Sequence, residues 1–276
     1  MAIMTPPPLF SFANLQFSYP GPKHSRNGCT AIDFSSNEFH IRQGVKTVLL
    51  GPSGCGKTTL LQICGLLRQA PLQPGQVVFD STCDYAVISP QAQLELRRNS
   101  FGFILQTFFL LPNFSMVENT AMPLIFQGME KSRALKHARE FIQKSGLSGS
   151  GENDLEHNLD KTSDQLSQGQ KQRVAILRAL IHDPTVIFAD EFTSNLDGNT
   201  IEKTFLLIDD WQKKGAQKGQ LRSLVLVTHD QAVAARHGDH FVVINESHRL
   251  KKQFSRQEFS SREAVNQEIH AAFQTN

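Results

Sequence analysis

Long hydrophobic runs are missing from this sequence. No uninterrupted apolar stretch reaches the roughly 20 residues that a helix needs to cross a bilayer, so any task at a membrane is expected to pass through a separate subunit. Charge of one sign is missing too. The 28 basic and 26 acidic side chains nearly cancel, which gives no general electrostatic case for a nucleic-acid partner. Cysteine is sparse: Cys29, Cys55, Cys64 and Cys83 form no C-x-x-C pair and stand near no histidine at zinc-ligand spacing. Free thiols in an intracellular protein is the plain reading. The stretch Met1 to Phe12 is proline-rich and lacks the charged leader and apolar core of a secretory signal. Repeats and low-complexity tracts are also absent.

What is present is a series of short apolar runs rich in valine, isoleucine and phenylalanine. Lys46–Leu50, Phe101–Leu105, Val186–Ala189, Leu224–Val227 and Phe241–Ile244 do not alternate with polar residues, which predicts strands buried on both faces. Helical stripes lie between them: Leu60, Leu61, Cys64 and Leu67 after the first, and Val174, Leu177 and Ile181 ahead of Asp183-Pro184. Strands alternating with helices predict an α/β domain with a mostly parallel core sheet. Leu9–Phe17 partly alternates and predicts an antiparallel β edge at the N-terminal end. Pro20–Cys29 reads as a turn-rich loop. Residues 94–165 read as an inserted helical subdomain, with a capping box at Ser115–Glu118, a stripe of Leu135, Ala138 and Ile142, and an exposed connection over Ser148–Asp164. The whole of 1–276 is expected to form one domain, with a tail over 255–276 that predicts a short docking helix.

The chemistry begins at Gly51-Pro52-Ser53-Gly54-Cys55-Gly56-Lys57-Thr58, a complete G-x-x-x-x-G-K-[ST] loop between a predicted strand and a predicted helix. Its glycines let successive backbone N–H groups curl inward on phosphate oxygens, and the helix N-terminus adds a favourable dipole. Lys57 can reach the β- and γ-phosphates, and the Thr58 hydroxyl can ligate Mg²⁺. Downstream, the strand Val186–Ala189 runs into Asp190-Glu191. Two carboxylates at a strand end are equally compatible with solvent-facing punctuation; the phosphate loop upstream favours Asp190 as a metal holder and Glu191 as the general base for an attacking water.

Between these two motifs lies Leu166-Ser167-Gln168-Gly169-Gln170, followed by Lys171-Gln172-Arg173-Val174-Ala175. This segment resembles the LSGGQ signature of ABC ATPases, and the order of motifs from about Leu9 to Leu250 is similar to that family. The resemblance implies a P-loop NTPase domain of the ABC type that binds ATP and Mg²⁺ and closes head-to-tail on a second such subunit, expected to be a copy of itself. It further implies that Gln106 touches the metal or its water and borders the membrane partner. Ser167, Gly169 and Gln170 would belong to the signature contact with ATP on the opposite subunit. Ser194-Asn195-Leu196-Asp197 would be the loop crossing the dimer interface, with Asp197 near nucleotide. His229 would hold the γ-phosphate, Thr59 would complete the phosphate loop, and Tyr19 would stack on adenine. The matching is not complete: Gln168 stands where glycine is usual, Phe192 where proline normally follows the glutamate, and Asn195 where alanine is common.

The stretch from Phe101 through Gln106 to Pro112, with Glu118-Asn119 and Pro123-Leu124, looks like the branch that serves lipoprotein release, macrolide export and bacterial division. That implies an enzyme peripheral on the cytoplasmic face of the inner membrane, touching the membrane only through an integral permease. The alternative is an ATP-dependent clamp or regulator without a transported solute. The apolar residues Phe108, Phe109, Leu110 and Leu111 beside Gln106 suit docking of a permease helix.

Overall fold

The computed structural model describes residues 6–20, 29–147 and 155–274. In chain order the strands are β1 (Pro8–Tyr19), β2 (Cys29–Arg42), β3 (Lys46–Leu50), β4 (Val77–Phe79), β5 (Cys83–Asp84), β6 (Phe101–Ile104), β7 (Val186–Asp190), β8 (Ser223–Val227), β9 (His240–Ile244) and β10 (Leu250–Ser255). The α-helices are α1 (Lys57–Cys64), α2 (Pro90–Asn99), α3 (Met116–Phe126), α4 (Lys131–Lys144), α5 (Gln168–Leu180), α6 (Gly198–Gln217), α7 (Gln231–His237) and α8 (Arg262–Gln274). The chain divides into two compact units, one spanning 1–93 and 223–276, the other 94–222.

In the first unit, β1 pairs antiparallel with both β2 and β4, and β4 with β5, giving the antiparallel N-terminal sheet. Its inner face is aromatic: Phe12 stacks on Phe39 with centroids 4.4 Å apart, and Phe10 lies 5.1 Å from Phe79. β3 runs parallel to β8 on one side and β9 on the other, and β10 closes that side antiparallel. β8 and β9 are buried at every residue and β3 at all but its first, which explains why these runs show no polar alternation. Val265 and Ile269 dock α8 with no exposed surface.

In the second unit β6 and β7 are parallel neighbours. Gly102 on β6 is required by crowding, because a Cβ there would collide with the Ala179 carbonyl of α5. The capping box at the start of α3 is complete: Ser115 Oγ accepts from the Glu118 amide at 3.2 Å, and the Ser115 amide donates to Glu118 Oε2 at 3.0 Å. Of the connection expected to be exposed over 148–164, residues 148–154 lie outside the described residues. The remainder is exposed at His157, Asp160, Lys161 and Asp164 but is corrected at Leu155, Asn158 and Ser163, which are buried. The reason is local: the first N–H groups of α3 have no partner within the helix, and the carbonyls of Lys161 and Leu159 accept from Met116 and Val117. The turn-rich loop expected over Pro20–Cys29 falls outside the described residues from 21 to 28.

Candidate active site

The phosphate loop leaves β3 at Gly51 and enters α1 at Lys57. α1 has no side-chain cap; its N-cap is Gly56 at φ 103°, in a conformation only glycine adopts freely. A Cβ at Gly56 would strike the Ala31 carbonyl, so backbone and space both demand glycine. Lys57 is buried, and its Nζ donates to the carbonyls of Gly51 (2.9 Å) and Pro52 (2.7 Å), which folds the loop around the ammonium. Cys55 is buried beside it, with Sγ 3.8 Å from Lys57 Nζ. Burial pushes the Cys55 thiol up, and the neighbouring ammonium opposes that only in part. Ser53 and Gly54 are exposed at the tip, and Thr58 is half-buried.

Tyr19 ends β1 beside this loop. Its hydroxyl shares a 2.8 Å hydrogen bond with Thr59 Oγ1, its ring meets Phe17 edge-on, and the Arg68 guanidinium sits 4.9 Å from the ring centroid. Register brings His229 to the same end of the sheet. Leu49 of β3 pairs with Val227 of β8, so Gly51 and His229, each two residues past that pair, lie just beyond the carboxyl ends of adjacent parallel strands, where ligands bind open α/β sheets. His229 is exposed, and the next residue, Asp230, caps α7 by accepting from the Val233 amide at 3.0 Å.

The second unit repeats this logic. Ile104 of β6 pairs with Ala189 of β7, so Gln106 and Glu191 leave neighbouring strands at matching positions. Their side chains meet, Gln106 Nε2 donating to Glu191 Oε2 at 3.3 Å. Asp190 is buried at the end of β7. Glu191 takes φ 48°, unusual for a residue with a side chain.

Ser167 is the N-cap of α5. Its hydroxyl accepts from the Gln170 amide at 3.2 Å, and its own amide donates to Gln170 Oε1 at 2.9 Å. Ser167 is exposed, whereas Gln170 is buried and committed to this capping box. Gly169 faces Asn195, whose carbonyl would lie 3.7 Å from a Cβ at 169, so the signature and the Ser194–Asp197 loop are neighbours. Asp197 caps α6, accepting from the Thr200 amide at 3.0 Å; the hydrogen bonds from Thr200 hold its carboxyl below the usual range.

Sequence reasoning missed what surrounds the Phe108–Leu111 segment. A groove of about 660 Å³ opens there, with Leu94, Phe109, Leu111, Phe126 and Arg178 among its lining residues. Phe109 and Phe126 are each 64% exposed. Two polar side chains, one half-buried and one buried, fasten the backbone of this apolar surface. Arg178 of α5 donates to the Phe108 and Phe109 carbonyls at 2.6 and 2.8 Å. Asn119 of α3 binds both the amide and the carbonyl of Leu111. Desolvation brings the Arg178 guanidinium down to about 10.

Residues 34–194 match the model of the family described as "ABC transporter", more than half of the chain. The chain belongs to the ABC transporter family. As an ABC cassette it is an ATP-binding and ATP-hydrolysing subunit. It is 37% identical over 215 residues to the lipoprotein-releasing system ATP-binding protein LolD of Shewanella frigidimarina, covering 78% of this cassette and 83% of that protein. It is also 37% identical to LolD of Legionella pneumophila, covering 76% and 85%. The macrolide export ATP-binding/permease protein MacB of Shigella flexneri is 32% identical over 83% of this cassette but only 32% of its own length. Among solved structures, the post-hydrolysis dimer of the ATP-binding cassette MJ0796 with ADP and Pi superposes with TM-score 0.75 at 28% identity, covering 89% of this cassette and 98% of that chain. No helix among the described residues is long and apolar enough to cross a membrane.

Proposed function

We propose that two copies of this cassette close head-to-tail on two ATP molecules and that closure works on a separate integral permease, as the energy-coupling subunit of a system like those of LolD and MacB. Lys57 and the backbone N–H groups of Ser53–Thr58 bind the phosphates, with Thr59 holding Tyr19, whose ring stacks on adenine. Glu191 takes the proton of the attacking water, His229 holds the γ-phosphate, and Gln106 positions Glu191 before the water arrives. Ser167 and Gly169 of the second copy meet the γ-phosphate of the first, with Asp197 lining the interface.

Thr58, Asp190 and Gln106 offer only hard oxygen donors, a set that suits Mg²⁺ better than a thiolate-loving metal. Bound there, Mg²⁺ would neutralise charge on the β- and γ-phosphates. The observation that carries the catalytic reading is the Gln106–Glu191 contact at the ends of two paired strands. The preformed apolar groove beside Gln106 supports a membrane partner that docks by a short helix. On this reading the enzyme sits peripherally on the cytoplasmic face of the inner membrane and binds no nucleic acid.

Glu191→Gln should bind ATP but lose at least ~100-fold in turnover and accumulate ATP-bound dimers on gel filtration. Wild-type turnover in that variant would remove Glu191 from its role. Ser167→Arg should abolish hydrolysis while the isolated protomer still binds ATP. Failure of protomer binding as well would sink the contact in trans.

A further inference from the structure

We infer that Phe192 is a positioning residue for Glu191: its ring, fixed in the core against Phe205 of α6, holds the Glu191 backbone in the left-handed conformation that presents the carboxylate to Gln106. This rests on the reading of Glu191 as general base. β7 is buried along its length and ends at Asp190. The next residue turns at φ 48°, a region that a non-glycine residue occupies only where its surroundings over-determine it. Two neighbours supply that determination. The Phe192 ring is fully buried, its centroid 5.7 Å from that of Phe205 at an interplanar angle of 53°. Behind the turn, Ser194 Oγ donates to the Glu191 carbonyl at 3.0 Å.

The ring is the stronger of the two. Burying a whole phenyl side chain outweighs the strain of one left-handed residue, whereas the two Ser194 bonds to the Glu191 carbonyl, from its exposed hydroxyl and from its amide at 3.4 Å, contribute less. Phe205 cannot simply follow a moving loop, because the Asp197 cap fixes the start of α6 and Phe205 is itself buried. Shortening residue 192 therefore releases the turn, and the carboxylate that accepts from Gln106 loses its place. A general base displaced by about 1 Å slows turnover by up to ~100-fold.

The test is steady-state ATPase kinetics on the full chain with Phe192→Leu, Glu191→Gln and the double variant. Phe192→Leu should lower kcat on the order of 10-fold while KM for ATP stays the same. The double variant should be no slower than Glu191→Gln alone, because residues that act as one unit are not additive. Additive losses in the double variant overturn the proposal. So does a wild-type kcat in Phe192→Leu beside a slow Glu191→Gln, and in both cases the general-base reading survives. Wild-type turnover in Glu191→Gln takes down the reading and the proposal together. Ile142→Ala, a buried truncation on α4, should lower stability and leave kcat unchanged; an equal kcat loss there would make the Phe192 effect general loosening and end the proposal. Should Phe192→Leu not fold, Phe205→Leu removes the same contact from α6 and carries the same expected loss.

Discussion

Asn119 ties the Leu111 end of the groove to α3, and removing it gives a quantitative test. Its Oδ1 accepts from the Leu111 amide at 2.7 Å. Its Nδ2 donates to the carbonyls of Leu111, Phe114 and Ser115 at 3.0–3.1 Å. The amide nitrogen has two hydrogens for these three carbonyls, so one bond is shared and the side chain makes three at full strength. At about 1 kcal/mol each, Asn119→Ala should lose about 3 kcal/mol. The residue is 1% exposed, so solvent cannot replace those bonds without local opening. Urea unfolding should show the midpoint falling with the slope unchanged. Hydrogen exchange should show the Leu111 amide losing protection. ATP binding should be unaltered, because the phosphate loop hangs from β3 and α1, which Asn119 does not support. A loss under 1 kcal/mol, or a parallel fall in nucleotide affinity, would refute the assignment of Asn119 as the independent anchor of this loop.

Cys55 reports on the phosphate loop. Its thiol is raised above the ordinary value, so alkylation by iodoacetamide should be slow at pH 8 and still climbing at pH 9, and Mg-ATP should slow it further. Equal rates with and without nucleotide would contradict the placement of the loop. His240 is buried, and desolvation, aided by the nearby Arg42 charge, lowers it from an ordinary 6.5 to about 4. Between those values the unfolded chain binds the proton and the folded chain does not, so this group lowers stability as pH falls from about 6.5 to about 4. His240→Leu should flatten that part of a urea-midpoint profile; an unchanged slope would count against it.

The placement of the phosphate loop, the Asp190-Glu191 pair and the Ser167 segment was legible because each lies at a strand or helix end whose flanking pattern is strong. The parallel strands were legible for the same reason: an all-buried run such as Ser223–Val227 has no reading as a half-solvated element. α2 was not, since none of its ten residues is buried and no stripe exists to be seen. α6 hid behind a mixed face, with Phe205, Ile208 and Trp211 buried while Leu206 is 66% exposed. β2 escaped because its register with β1 shifts at three places, two of them with the extra residues on β2 itself, and each such bulge breaks the alternation that marks a strand. Leu67 shows the opposite error. It continues the α1 stripe in sequence, yet α1 stops at Cys64, Leu66 turns at φ 56°, and Leu67 is 43% exposed. The supports of the site were the least readable. Arg178 acts on carbonyls about 70 residues away in sequence, and Asn119 on an irregular loop just ahead of its own helix, and neither kind of contact leaves a pattern in the residues themselves.

Ser167 and Arg178 occupy opposite ends of a single rod. α5 has 13 residues, about 20 Å at the usual rise, with the signature serine capping one tip and the arginine near the other gripping the carbonyls of Phe108 and Phe109. The helix is uninterrupted between those two tips, so it offers a short, stiff path from the Phe108–Phe109 carbonyls to the serine. On the head-to-tail reading proposed above, one helix would be the lever arm between the groove and the tip that meets nucleotide in the second copy.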